Sequence, residues 1–572
     1  MAQIWKRLVA DKRRRQLESI PKDWLIQVPD EHIVDVTAVP ERCGLLSDRE
    51  LQITNTGDVN EILDKLAKGE WSAVEVTNAF CKRAIIAHQL VNCLTEIFVE
   101  KALARAAELD DYLKTTGKTI GPLHGLPVSL KDQFSIKGLE ATMGYASYVG
   151  RFAQQDAALV EILHECGAIP YVKTNLPQTL LWVETHNLLF GRTVNPINRK
   201  LTSGGSSGGE CALIALRGSP LGVGTDLGGS IRIPSAYNGL YGFKPSSYRL
   251  PHQGCVTSLD GLDSMLSAVG PISHSLSGIK TFLKAVIGRE PWLKDPQVVP
   301  KKWDEDEYAL IRHGGGKRLC FAIMWNDGVV RPHTPIVRAL KMVKGALAAA
   351  GHVGRYVVVV DWQPYKHAEF GDIMNGIWRA GSGAELKAAT EATGEPLLSS
   401  LGLEEQPPGK AFFATGEGIS AYDLWQLQKA KTQLRKEYLD HWQNTVSVTG
   451  TGRPVDAIIG PASASAATPH GMNRYTNYTR VWNALDYVAA VFPVTKVDPV
   501  DQSYYAKHMS GMSGFLCIEC AAKTFLCADD PDTFLGAPVG LQIVGRTLEE
   551  EAVLRMMEIV DGVLKNATGS RL

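Results

Sequence analysis

Leu201-Thr-Ser-Gly-Gly-Ser-Ser-Gly-Gly-Glu210 and, further along, Thr225-Asp-Leu-Gly-Gly-Ser-Ile-Arg-Ile-Pro234 set two serines, Ser206 and Ser230, among glycines and twenty-four positions apart. Glycine lets a backbone take positive φ and approach a ligand closely, so a hydroxyl flanked by glycines sits on a tight turn with N–H groups exposed beside it. That is the setting of a nucleophile next to an oxyanion hole. A purely structural glycine turn is the ordinary reading of either segment alone. Two such segments, each centred on a serine, reverse it.

Several familiar glycine motifs do not fit. Gly204-Gly-Ser-Ser-Gly208 satisfies G-x-S-x-G, but that elbow needs a hydrophobic strand before the serine, and Asn198-Arg-Lys-Leu-Thr-Ser203 is polar and loop-like. No lysine follows the glycines as a phosphate loop requires, and Gly222-Val-Gly224 meets Leu227 where a dinucleotide fingerprint wants its third glycine. A serine still needs a base. Lys131, in Ser129-Leu-Lys-Asp132, ends a short strand beside Val128 and Leu130, and burial there would press it toward the neutral form. An isolated S-x-K is weak, and a surface lysine paired to Asp132 is its bland alternative.

Outward from these segments the chain alternates helix and strand. Leu126–Leu130, Ala168–Val172, Leu221–Gly224, Leu319–Met324, Arg355–Val360 and Asp456–Ile459 read as strands. The stretch Val59–Val99, with Ala102–Leu113, Ala157–Cys166, Glu210–Leu216, Ile336–Ala350 and Glu549–Leu564, has helical periodicity. Such alternation predicts an α/β sheet covered by helices. Residues 286–318 and 362–412 are polar and weakly periodic, and read as long loops that shape access to a site. No flexible linker divides the chain, so residues 51–572 are expected to form one catalytic unit behind a helical arm of residues 1–50.

Further quoted segments complete a pattern. Gly121-Pro-Leu-His-Gly-Leu-Pro-Val-Ser-Leu-Lys-Asp132, Lys173-Thr-Asn-Leu-Pro-Gln178, the two serine segments and Gly536-Ala-Pro-Val-Gly-Leu-Gln-Ile-Val-Gly-Arg546 together resemble the amidase signature family, in order and spacing, over residues 50 to 565. The resemblance implies a mixed central β-sheet covered by helices on both faces. It implies Lys131 as the catalytic lysine, Ser206 as a bridging serine on a cis peptide, and Ser230 as the acylated nucleophile. The N–H groups of Leu227, Gly228, Gly229 and Ser230 match the family's oxyanion hole. Ser207, Thr225, Asp226 and Arg232 are expected to brace that loop from behind, while His124 falls in a turn and reads as structural. The segment after Gln178 resembles the acyl-side lining of fatty acid amide hydrolases and fungal acetamidases, which makes Leu180, Leu181 and Trp182 candidate substrate contacts beside Ser206. Tyr475–Tyr487 also looks fungal-acetamidase-like.

The reaction so implied is hydrolysis of a carboxylic amide with an apolar acyl group. A carbamate or ester hydrolase with the same triad stands second, and a partner-dependent amidotransferase subunit or a catalytically silent scaffold third. Composition agrees with a small substrate. The 572-residue chain is 45% hydrophobic and 21% charged, with a net charge of −1, so no whole-molecule field attracts nucleic acid. No apolar run reaches the ~18 residues of a membrane span, and no signal-like segment opens the chain. The expected location is cytoplasmic and the assembly a possible homodimer. Ten irregularly spaced cysteines read as reduced thiols, and Cys517-Ile-Glu-Cys520 with Cys527 as buried cysteines rather than a zinc site. No metal or cofactor is expected. The basic segment Lys6 to Arg15 is either a membrane-touching helix or, more simply, the solvated face of a helix docked through Trp5 and Leu8.

Overall fold

The computed structural model describes residues 4–350, 356–398, 405–406, 418–473, 475–501 and 531–569. Eleven strands form one sheet. In chain order they are β1 Leu94–Ile97, β2 Pro127–Lys131, β3 Ile169–Thr174, β4 Leu221–Asp226, β5 Tyr241–Lys244, β6 Ala268–Ser273, β7 Arg318–Ile323, β8 Tyr356–Asp361, β9 Ala457–Pro461, β10 Ala489–Lys496 and β11 Pro538–Val544. Their spatial order is β1-β3-β2-β4-β6-β5-β10-β11-β9-β7-β8. The pairs β2/β3, β2/β4, β7/β9 and β7/β8 are parallel and the remaining neighbours antiparallel, so the sheet is mixed.

Both faces of this sheet are apolar, as strand alternation shows. On β7, Leu319, Phe321 and Ile323 join the larger core with Ile336 and Leu340, whereas Cys320 and Ala322 join a second core with Phe370, Met374, Tyr438, Trp442 and Trp482. Helices supply the other half of each core. Those that bear on the site are α1 Ile4–Glu18, α2 Gly208–Ala215, α3 Arg232–Asn238, α4 His367–Arg379, α5 Ala421–Asn444 and α6 Asn477–Leu485.

Every strand expected from the sequence is present within a residue or two, and several more are added. β6 (Ala-Val-Gly-Pro-Ile-Ser) contains a glycine and a proline that disguise a strand. Residues 362–412, read as loop, hold α4, which buries Phe370, Met374 and Ile377 at helical spacing. Helix α1 also differs from a simple docked amphipath. Trp5 and Leu8 do pack against Ala146, Leu189 and Phe190. Its basic side chains, however, turn partly inward: buried Lys12 bonds Glu96 and Glu140, Arg15 bonds Glu140 at 3.1 Å, and Arg13 Nε donates to the Leu189 carbonyl at 2.8 Å. Seven described cysteines are free thiols, whereas Cys517, Cys520 and Cys527 lie outside the described residues. Among the described residues no helix is long and apolar enough to cross a membrane.

Candidate active site

The site forms where the C-terminal ends of the parallel strands β2 and β4 meet two glycine loops. Lys131 is the last residue of β2 and is fully buried between apolar neighbours, as Val128 and Leu130 required. Its Nζ lies 2.7 Å from Ser206 Oγ and 3.0 Å from Thr225 Oγ1. Thr225 Oγ1 in turn donates to Gln133 Oε1 at 2.6 Å. Burial pushes the lysine down from 10.5 to about 7, against the opposing fields of Asp226 and Glu210. Asp132 is not its partner. That carboxylate turns away and accepts from Thr95 Oγ1, Thr142 N and Met143 N at 2.7, 2.9 and 2.9 Å.

Ser206 sits on the loop entering α2, after a cis Gly205–Ser206 peptide. Only glycine fits at 205, because a Cβ there would stand 2.7 Å from Glu184 N and 2.8 Å from Trp182 O. This close approach fastens the Ser206 loop to the segment Leu180–Glu184. Ser207 ties the two glycine loops together, its N–H donating to the Ser230 carbonyl at 3.1 Å.

Ser230 lies half-buried between β4 and α3. Its hydroxyl makes no hydrogen bond to Ser206, although both line one small chamber of about 30 Å³ with Gln133 and Thr225. Of the four N–H groups expected to face a ligand, that of Gly229 donates to Asp226 Oδ1 at 2.8 Å, and those of Leu227, Gly228 and Ser230 make no hydrogen bond to the described residues. Gly229 has φ 133°, a conformation open to glycine, and a Cβ there would collide with Thr479 Oγ1.

Asp226 organises this loop. Besides Gly229 N it accepts from Ile231 N at 3.1 Å, from Arg232 Nε and Nη2 at 3.0 Å each, and from Asn483 Nδ2 at 3.0 Å. Burial would raise its carboxyl, but the Arg232 guanidinium overrides that and holds it well below the usual range. Arg232 also reaches Gln542 Oε1, at 3.1 Å, and so joins the loop to β11. Thr225 is nearer the chemistry than the sequence indicated, since it touches Lys131 directly.

A second buried carboxyl lies behind the lysine. Glu210, on α2, accepts from Ser129 Oγ at 2.6 Å and Thr174 Oγ1 at 2.8 Å, and burial raises it from 4.5 to about 8. His124 is remote, with Nδ1 accepting from Ile120 N at 3.2 Å.

Ser230 also opens onto a cavity of about 270 Å³ walled by Leu180, Leu181, Trp182, Val183 and Leu227 on the loop side. Asn375 and Trp378 of α4, with Thr476 and Arg480, complete it. The sequence pointed to the first group and missed the second. Trp378 and Asn375 fall in a stretch read as loop, and Arg480 inside the Tyr475–Tyr487 segment carried no individual signal. Gln133 and Glu210 were missed because a lone polar residue beside a motif resembles surface until burial is known.

Comparison with known proteins agrees with this architecture. The family model described as Amidase matches residues 75–554. The chain is 42% identical over 563 residues to an acetamidase of Aspergillus oryzae, covering 98% of this chain and 99% of that protein. An acetamidase of Emericella nidulans is 40% identical over 576 residues, covering 99% of each. A solved structure of a fatty acid amide hydrolase superposes with a TM-score of 0.84 at 30% identity, covering 99% of this chain and 96% of that one.

Proposed function

The chain belongs to the amidase family and is an amide-hydrolysing enzyme acting on carbon–nitrogen bonds; we propose that it works through a Ser–Ser–Lys relay ending on Ser230. Neutral Lys131 draws the proton of Ser206, which draws that of Ser230 as its Oγ attacks the amide carbonyl. The open N–H groups of Leu227, Gly228 and Ser230 receive the developing oxyanion, where one such donor is typically worth about 3 kcal/mol of barrier. The relay then returns the proton to the departing amine, without which an amide nitrogen leaves poorly. Water reverses the sequence and frees the acid. The Ser206 to Ser230 hydrogen bond forms on substrate binding, as catalytic bonds often tighten only in the complex.

The observation that carries this reading is the buried contact of Lys131 Nζ with Ser206 Oγ at 2.7 Å, beside a cavity that Ser230 lines. The apolar walls favour a small substrate with a carbon skeleton, and the free thiols favour a reducing cytoplasmic compartment. The test is kcat/KM on straight-chain amides from acetamide to oleamide with matched ethyl carbamates and esters. Turnover of amides that vanishes in Ser230→Ala and in Lys131→Ala is expected. Preference for carbamates would shift the substrate class. Unaltered turnover in Ser230→Ala would remove the relay.

A further inference from the structure

One wall of the cavity carries a positive charge that no carboxylate of the described residues neutralises by direct contact. Arg480, on α6, donates Nε to Asn477 Oδ1 at 2.8 Å and Nη1 to Asn375 Oδ1 at 2.9 Å. Both partners are neutral amides, and Nη2 has no hydrogen-bond partner among the described residues. Arg217, which donates Nη1 to the Asn55 carbonyl, also has no carboxylate within ion-pair distance among the described residues, but it does not line this cavity. The fully buried Arg232 is paired with Asp226 at 3.0 Å, and Arg249 with Glu551 at 2.6 Å. Arg480 is half-buried, so its guanidinium gives up part of its solvation, which two amide oxygens replace only in part. Burial accordingly presses Arg480 below the usual guanidinium value.

Its charged neighbours are committed or exposed. Asp327 accepts from Tyr475 Oη at 2.5 Å and from the N–H groups of Val329 and Val330 at 3.0 and 2.9 Å. Asp372 is exposed on α4. The side chains of Trp182 and Trp378 line the same space, but their indole N–H groups are buried away from it and have no hydrogen-bond partner among the described residues. Trp378 and Arg480 reach the oxyanion loop itself: a Cβ on Gly228 would lie 3.3 Å from Trp378 Cη2 and 3.7 Å from Arg480 Cβ. A substrate seated at Ser230 therefore shares its cavity with the Arg480 side chain and with the apolar side chains of Leu180, Leu181 and Leu227.

We propose that the substrate supplies the missing acceptor: an amide whose apolar carbon skeleton ends in a carboxylate, bound by Arg480. This rests on the amidase reading above and narrows its substrate class. Arg480 is then a specificity determinant that touches the substrate away from the scissile bond. A guanidinium suits the task because its planar fork takes a carboxylate through two nitrogens.

The test compares adipamic acid with hexanamide and with methyl adipamate, its neutral size match, in wild type, Arg480→Gln and Arg480→Lys. The readout is the ratio of kcat/KM for adipamate to that for the neutral amides, whatever happens to absolute rates. A ratio of about 10 to 100 in wild type is expected from one charge-assisted contact of about 1.5–3 kcal/mol. It should fall to near one in Arg480→Gln and recover in part in Arg480→Lys. A ratio near or below one in wild type, or one unchanged by Arg480→Gln, would overturn the inference and leave Arg480 as a tie between α4 and α6. Calorimetric binding of adipate to Ser230→Ala and to Ser230→Ala/Arg480→Gln separates the two readings. Adipate held by the first and lost from the second, with no amide cleaved by wild type, would sustain the carboxylate site and refute the relay. Adipate held by neither would refute the carboxylate site even where hexanamide is hydrolysed.

Discussion

Replacing Asp226 by asparagine should damage stability and shift catalysis in separable ways. The carboxylate is fully buried, and its two oxygens accept from Gly229, Ile231, Arg232 and Asn483. Asparagine keeps one acceptor oxygen and sets an N–H₂ against donors that faced the other. It also leaves the Arg232 guanidinium uncompensated. Breaking a buried ion pair from one side costs about 3–5 kcal/mol. With an unfolding entropy of about 2.1 cal/mol/K per residue, roughly 1.2 kcal/mol/K for a chain of this size, the midpoint should fall by about 3 °C if the chain unfolds as one unit. The catalytic effect has its own sign. Asp226 is the largest charge that favours the ammonium form of Lys131. Without it, the lysine loses its proton more easily, and the rise of kcat/KM with pH should move to lower pH. The assay is calorimetric unfolding together with a pH profile on one amide. A midpoint within 1 °C of wild type (roughly 1 kcal/mol at this entropy) and an unmoved profile would refute the role given to this carboxylate.

Three other outcomes follow from the same geometry. Since burial holds Lys131 near 7 and the neutral amine is the active form, kcat/KM should climb with pH up to about 7 and level off above it; Lys131→Ala should abolish the climb, and a flat wild-type profile would contradict the assignment. Thr225→Val removes the hydroxyl between Lys131 and Gln133 and should lower kcat about tenfold with little change in KM, as expected for one or two buried hydrogen bonds of about 1 kcal/mol each. Glu210 is raised from 4.5 to about 8, so the folded state holds a proton that the unfolded chain releases, and wild-type stability should fall as pH rises through that window. In Glu210→Gln that fall should be absent in unfolding midpoints measured from pH 4.5 to 8, and parallel curves for the two proteins would refute the raised value.

The glycine segments were legible because glycine at 205 and 229 answers to steric facts, a backbone 2.7 Å away in the one case and a positive φ in the other. Lys131 was legible from its apolar neighbours on β2. What stayed hidden depends on packing between distant segments. Arg480 and Asn375 are separated by 105 positions and meet only because α4 and α6 share a core. Glu210 lies beside two glycines on α2, and nothing local says that Ser129 and Thr174 will close over it. Strand β6 carries Gly270 and Pro271, whose local preference is for turns, and the pairing with β4 and β5 overrides it.

Mass-spectrometric mapping of a fluorophosphonate adduct tests the relay most directly, because it reads the nucleophile without assuming a substrate. The account predicts a single adduct on Ser230, absent from Ser230→Ala and formed far more slowly in Lys131→Ala and Ser206→Ala. An adduct on any other residue, or labelling of Ser230→Ala at the wild-type rate, would contradict it.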